Sequence, residues 1–177
     1  MILLKTVLNT IITGFVLAIL ILLAVGENHM PTSMPVNAVM IWLHVFAGII
    51  WIGLLYYFNF VQVPALAEAA SDDGGPGGAG ITKYAAPRAL LWFRWGAIFT
   101  WLTGAAFLMH NGQLDDAFRL GLVGDSVNVY AATIGIGAWL GTIMLFNVWV
   151  LIWPNQKKIL GLVEASPEEI DKAKKIA

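Results

Sequence analysis

Four long runs of apolar residues constrain this chain more than any other feature. The first run, from Leu3 to Val25, contains a single charged residue, Lys5. As a helix, its roughly 23 residues reach about 35 Å, which is enough to cross a hydrocarbon core of about 30 Å. The other three runs cover residues 37–60, 89–109 and 129–153. The sequence therefore predicts four membrane-spanning helices.

Composition supports a membrane protein and excludes several other classes. Of the 177 residues, 59% are hydrophobic and 12% are charged, whereas soluble domains carry about 25% charged residues. The net charge of −1 provides no basic surface for nucleic acid, so no nucleic-acid partner is expected. The chain has no Cys, which excludes disulfides, thiolate metal sites and covalently attached c-type haem.

The distribution of basic residues predicts the orientation. Eight of them fall on the side that also holds both termini: Lys5, Lys83, Arg88, Lys157, Lys158, Lys172, Lys174 and Lys175. The opposite loops, 26–36 and 110–128, hold only Arg119. By the positive-inside rule, both termini are cytoplasmic. The predicted fold class is an all-α, four-helix transmembrane bundle that forms one domain over residues 1–165.

Shorter segments are predicted from local signals. Pro64 and Pro154 are expected to end the second and fourth spans, because proline does not continue a helix comfortably. The Gly-rich stretch 71–80 is interpreted as a cytoplasmic linker. Residues 110–128 suggest a short amphipathic helix on the periplasmic membrane surface. Residues 166–177 begin with the pattern of a capping box and predict a short, solvated cytoplasmic helix.

His44 is the residue that most suggests chemistry. It lies about 10 Å below the outer end of the second span, and Gly48 and Trp51 follow it on the same helical stripe. One interpretation is an axial ligand to non-covalent haem b, with the porphyrin edge against Gly48. His110, or less directly His29, would then be the second ligand. The other interpretation is a structural histidine that bonds to a neighbouring helix.

Other polar residues cluster near the predicted inner side. Arg94 lies five residues into the third span, at about the same depth as Asn59 and Asn147. Arg94 either extends its side chain to lipid phosphates or joins the two asparagines in a polar pocket for an anion.

Small residues recur four apart on two of the spans. Gly96, Thr100 and Gly104 share one face of the third span, and Gly137 and Gly141 share one face of the fourth. Small residues let helices approach closely in lipid. Both faces are therefore predicted to be helix-packing surfaces, within the bundle or against a partner.

Three stretches of the chain follow a family pattern. They are Trp42-Leu-His44 through Gln62-Val-Pro64, then Arg94-Trp95-Gly96 with Thr103-Gly104, and finally Asn147-Val-Trp149 through Trp153-Pro154-Asn155-Gln156. Over about residues 37–165, the chain resembles the N-terminal membrane domain of bacterial membrane-bound, cytochrome-c-linked urate hydroxylases. The part around His44 is also similar to the copper-resistance D and protoporphyrinogen-oxidase-like membrane families.

The resemblance implies a helical module of the bacterial inner membrane that works with electron carriers. The haem-attachment motif of the family's cytochrome c domain requires Cys, which this sequence lacks. The chain is therefore expected to be a subunit of a larger membrane complex and not to be catalytic alone. Three functions follow: a redox-linked subunit that binds haem b, a cofactor-free accessory subunit of a respiratory or photosynthetic complex, or a urate-oxidising enzyme that uses a separate cytochrome c. Lipids and other membrane subunits are the expected partners.

Overall fold

The protein is almost entirely helical. Its structure, a computed structural model, describes residues 6–29, 33–123 and 126–176 and is about 84% helical. Its long helices are α1 (Val7–His29), α2 (Ser33–Tyr57), α4 (Ala86–His110) and α6 (Val129–Phe146). Apolar runs of this length form helices because a helix satisfies its own backbone polar groups in lipid. The predicted start of the first span, Leu3 to Lys5, lies outside the described residues.

Within residues 6–29, 33–123 and 126–176, three helical segments are long and apolar enough to cross a membrane. They are Val7–Val25, Val36–Ser71 and Val129–Ile159. Helix α4 has 25 residues but is not among the three. The part of the chain that the structure describes is thus all-α in class, with three helices that could span a membrane.

The second and fourth predicted spans continue past the prolines that were expected to end them, so both of those predictions are wrong. After α2, a π-helical segment (Phe58–Gln62) leads directly into α3 (Val63–Ser71). After α6, a second π segment (Asn147–Ile152) leads into α7 (Trp153–Ile159). The helix axis therefore extends about eight residues beyond Val63 in one case and six beyond Trp153 in the other.

Wide π turns explain how these helices accommodate proline. In each π segment of the described chain, including Ile81–Ala85, the residue before a proline donates its N–H to the carbonyl five residues earlier. The pairs are Val63 with Phe58, Ala86 with Ile81 and Trp153 with Val148. Proline has no N–H, and its ring clashes with the carbonyl four residues back in a regular α-helix. The extra residue in the π turn shifts the register of the hydrogen bonds at that point, so the helix continues.

The segment between α4 and α6 folds onto α6. It contains the short helix α5 (Leu114–Phe118) and an antiparallel pair of two-residue strands, β1 (Leu122–Val123) and β2 (Ser126–Val127). The short helix was predicted, whereas the strand pair was not. Ala117 is buried, and Trp139 Nε1 donates to the carbonyl of Phe118 over 3.0 Å. Helix α5 therefore packs against protein on one side.

The C-terminal helix α8 (Pro167–Ile176) begins with the predicted capping box. The Ser166 N–H donates to Glu169 Oε2 over 2.9 Å, and the Glu169 N–H donates to Ser166 Oγ over 3.2 Å. Glu169 also forms an ion pair with Lys158 of α7, at 3.4 Å. Helix α8 is largely exposed, and the buried Ala173 marks the face on which it packs against the protein.

The chain divides into two compact units, Met1–Trp42 and Leu43–Ala177. In the first unit, the rings of Phe15 and Trp42 meet edge to face with centroids 4.6 Å apart. The second unit has a core drawn from α2, α4 and the π segment after α6. Its buried members are Trp51, Phe93, Ala97 and Val148.

Candidate functional site

Helices α2 and α4 meet along the small-residue face of α4. A Cβ atom built on Gly96 would lie 3.3 Å from the backbone nitrogen of Trp51. A Cβ atom built on Gly104 would lie 2.9 Å from Cε1 of His44. The residue numbers rise along α2 as they fall along α4, so the two helices run antiparallel. The structure thus places Gly96 and Gly104 at a close helix–helix contact.

His44 is held by the backbone of α4. Its Nδ1 lies 2.8 Å from the carbonyl oxygen of Thr100, and Thr103 Oγ1 lies 3.4 Å from the same nitrogen. A carbonyl oxygen can only accept, so Nδ1 is the donor in this hydrogen bond. The half-buried ring of His44 therefore links α2 to α4 through its Nδ1 atom.

Gly48, against which a porphyrin edge was predicted to lie, has a side chain of α4 beside it. Thr100 Cγ2 lies 3.8 Å from the position of a Cβ atom on Gly48. Trp51, the third residue of the predicted stripe, is only 4% exposed and belongs to the core. In this structure, Gly48 therefore lies beside α4, and Trp51 is part of the protein core.

His110, the first candidate for a second haem ligand, lies at a different level from His44 along α4. His110 is the last residue of α4 and is exposed. It lies six residues beyond Gly104, which corresponds to about 9 Å along the helix axis. The side chain of His29 lies outside the described part of the chain. Among the described residues, no group of three or more His, Cys, Asp or Glu is arranged to hold a metal ion.

Arg94 is buried at the other end of α4. The residue is 9% exposed, and its Cζ lies 3.3 Å from the ring centroid of Trp153 in a cation–π contact. Trp149 Nε1 donates to the backbone carbonyl of Arg94 over 3.3 Å. The aromatic residues of α7 and of the preceding π segment thus enclose Arg94.

The two asparagines predicted to join Arg94 do not bond to it. Asn59 is exposed, and its amide donates to the carbonyl of Leu55 in its own helix over 2.8 Å. Asn147 is half-buried at the first position of a π segment. Within the described ranges, no hydrogen bond joins either asparagine to Arg94.

Sequence reasoning missed the residues that do accompany Arg94. Trp153 was considered only within a stretch that follows the family pattern, and Lys157 was used only to predict the orientation. Lys157 Nζ lies 5.8 Å from the same Trp153 ring that Arg94 covers. The signal in the sequence was the i, i+4 spacing of Trp153 and Lys157, which places the two side chains on one helical face.

The two predicted small-residue faces have different surroundings. A Cβ atom on Gly137 or Gly141 of α6 would meet nothing within 4 Å. The opposite side of α6 faces the rest of its unit: Trp101 Nε1 of α4 donates to Thr142 Oγ1 over 2.8 Å, and Gly135 lies against the carbonyl of Ala117. The face with Gly137 and Gly141 therefore points away from the contacts that hold the second unit together.

Comparisons with known proteins did not assign the chain to a family. No family model matches it, and no curated protein or solved structure is significantly similar to it. The resemblance to membrane-bound urate hydroxylases therefore stays a prediction from the sequence.

Proposed function

We propose that this chain is a four-span subunit of the bacterial inner membrane, with cytoplasmic termini, that docks on a larger membrane complex through α6. In this proposal it is an accessory subunit, and the partner is a helix of a different protein. The docking surface is the face that carries Gly137 and Gly141.

The packing of α4 supports a fourth span. Gly104 of α4 contacts His44 of α2, and Trp101 of α4 bonds to Thr142 of α6. Both contacts fall within segments that are long and apolar enough to cross a membrane. In this proposal, a helix packed alongside two membrane-spanning helices crosses the same membrane. Its buried faces contact protein instead of lipid, which is why α4 can be less apolar.

The contrast between the two small-residue faces carries the proposal. Gly104 is in direct contact with His44, whereas Gly137 and Gly141 have open space above them. Glycine in a helix destabilises it by roughly 0.5–1 kcal/mol relative to alanine, and contact with lipid does not offset this loss. A close helix–helix contact does offset it, because small residues let two backbones pack by van der Waals contact.

The docking proposal is tested by the size of the complex extracted from native membranes. A tagged wild-type chain, extracted in mild detergent, is expected to migrate with other proteins, well above its own 19.2 kDa. The double variant Gly137→Leu, Gly141→Leu is expected to migrate alone. Ile143→Phe is the matched control, because it adds bulk at an exposed site about 120° around the same helix. Unchanged migration of the double variant, or a complex that contains only copies of this chain, overturns the proposal.

The proposed topology is tested with single cysteines, since the chain contains none. We expect Asp73→Cys and Lys172→Cys to react with an impermeant maleimide only when the cytoplasmic side is accessible. Asp115→Cys, between α4 and α6, is expected to react from the opposite side. Labelling of Asp73→Cys and Asp115→Cys from the same side would rule out α4 as a span.

A redox-linked subunit that binds haem b is the second candidate. The observation that favours it is the 2.8 Å contact between His44 Nδ1 and the carbonyl oxygen of Thr100, since a neutral imidazole that donates from Nδ1 has its Nε2 lone pair free to bind iron. A reduced-minus-oxidised absorption spectrum of the purified protein distinguishes the candidates: a haem signal that is lost in His44→Ala supports the second, and a flat spectrum from folded protein supports the first.

A further inference from the structure

We propose that Arg94 and Lys157, which converge on the indole of Trp153, form a site for a phosphate group of an anionic phospholipid. The inference goes beyond the proposed docking of α6, because it concerns α4 and α7 and requires only that the chain is inserted in a membrane.

The burial of Arg94 is the first argument. The residue is 9% exposed, and the ion pairs of the described residues do not include it. Its Nε is enclosed without a hydrogen-bond partner in that part of the chain. A buried charge without a counter-charge is costly. The cation–π contact with Trp153 offsets part of this cost but leaves the positive charge in place.

The convergence of a second cation is an independent argument. Arg94 Cζ lies 3.3 Å and Lys157 Nζ lies 5.8 Å from the centroid of the same Trp153 ring. The two cationic groups are therefore at most about 9 Å apart. Two positive charges this close repel each other, and an anion between them reverses the sign of the interaction. One phosphate can accept charge-assisted hydrogen bonds of about 2.8 Å from both side chains.

The position along the chain favours a lipid as the source of the phosphate. Trp153 and Lys157 lie near the end of the apolar segment Val129–Ile159, and Lys158 follows them. Tryptophan and lysine at the end of a span lie at the level of the lipid headgroups. Clusters of basic residues at that level attract anionic lipids.

The experiment measures lipid binding by native mass spectrometry of the detergent-purified full chain. Phosphatidylglycerol is added, and the fraction of protein with one bound lipid is followed against its concentration. We expect Lys157→Gln to weaken this binding about fivefold, and Arg94→Gln to weaken it about tenfold, because Arg94 is more deeply desolvated. Lys172→Gln, on α8, is the control with the same change in charge. If Arg94→Gln does not fold, the Lys157 variant decides the result.

Two further arms identify the source of the phosphate. Competition by millimolar inorganic phosphate would show that the site takes a free phosphate, whereas binding that resists it would show that the lipid is the ligand. Either result retains the phosphate site. Wild-type binding that does not discriminate phosphatidylglycerol from zwitterionic phosphatidylcholine overturns the proposal. So does equal affinity of the wild type and the Lys157→Gln variant for phosphatidylglycerol.

Discussion

The imidazole of His44 packs directly on the backbone of Gly104. A Cβ atom at Gly104 would lie 2.9 Å from Cε1 and 3.1 Å from Nδ1 of the ring. The same ring is held by its hydrogen bond to the Thr100 carbonyl, one turn away on α4. Glycine at position 104 is therefore the condition for this hydrogen bond between α2 and α4.

We expect Gly104→Ala to lower the free energy of unfolding in detergent by about 1–3 kcal/mol, because the new methyl group must displace the His44 ring. Gly53→Ala on α2 is the control, since nothing lies within 4 Å of its Cβ position. The control is expected to be neutral or to stabilise by up to about 1 kcal/mol, through helix propensity. Denaturant titrations followed by circular dichroism measure both, and equal effects of the two variants would contradict the contact.

Gly135→Ala is expected to destabilise the protein by about 3 kcal/mol. Its methyl group would strike the backbone carbonyl of Ala117, which cannot move aside as a flexible side chain can. Gly137→Ala, two residues later on α6, has open space above it and should leave stability nearly unchanged. Thermal unfolding of the two purified variants provides the comparison. A Gly135→Ala protein with wild-type stability would show that α5 does not pack here.

Trp101→Phe removes the indole donor that bonds to Thr142 Oγ1 across α4 and α6. The Thr142 hydroxyl still donates to the carbonyl of Ala138, so no donor is left unpaired. We therefore expect a modest loss of about 0.6 kcal/mol, as is typical of interhelical hydrogen bonds in membrane proteins. A double-mutant cycle with Thr142→Ala measures this coupling. Trp92→Phe, at a site that is 61% exposed, is the control, and a coupling energy near zero would refute the bond.

The docking of α8 is expected to depend on the ionisation of Glu169. The hydrogen bond from the backbone N–H of Ser166, together with the hydrogen bond and charge of Lys158, lowers the pKa of Glu169 below its ordinary value of 4.5. A lowered pKa in the folded state stabilises the capping box above pH 4.5, and this stabilisation is lost as the pH falls through the lowered value.

Hydrogen exchange of the α8 amides measures this dependence. Protection is expected to be constant above about pH 5, after correction for intrinsic rates, and to fall in more acidic solution. Glu169→Gln should have lower protection with little dependence on pH in this range. Glu168→Gln, at the neighbouring position, should behave as the wild type. An acid loss of protection that persists in Glu169→Gln would assign it to another group.

The long helices and the capping box could be predicted because their causes are local. An apolar run forms a helix wherever water cannot satisfy its backbone, and Ser166 and Glu169 bond to each other within one turn. The ends of the helices at Pro64 and Pro154 were predicted wrongly. The general rule that proline breaks a helix does not anticipate the π turns that carry these helices onward.

The surroundings of Arg94 could not be predicted from depth alone. Asn59 and Asn147 lie at a similar depth in the sequence, but depth does not determine the direction around a helix. The π segments shift this direction further, because each adds a residue to a turn. In the structure, Arg94 packs over the ring of Trp153. The amide of Asn59 instead donates to a backbone carbonyl of its own helix.

The sequence by itself determined the class of the protein, since 59% apolar residues and 12% charged residues are incompatible with a soluble surface of this size. It also determined which residues are small enough for close packing. Only the tertiary structure decided that Gly104 is covered by His44 while Gly137 and Gly141 remain open. The physical reason is that small residues four apart form the same local surface on any helix. Only the neighbouring helices determine whether another part of the protein packs against that surface.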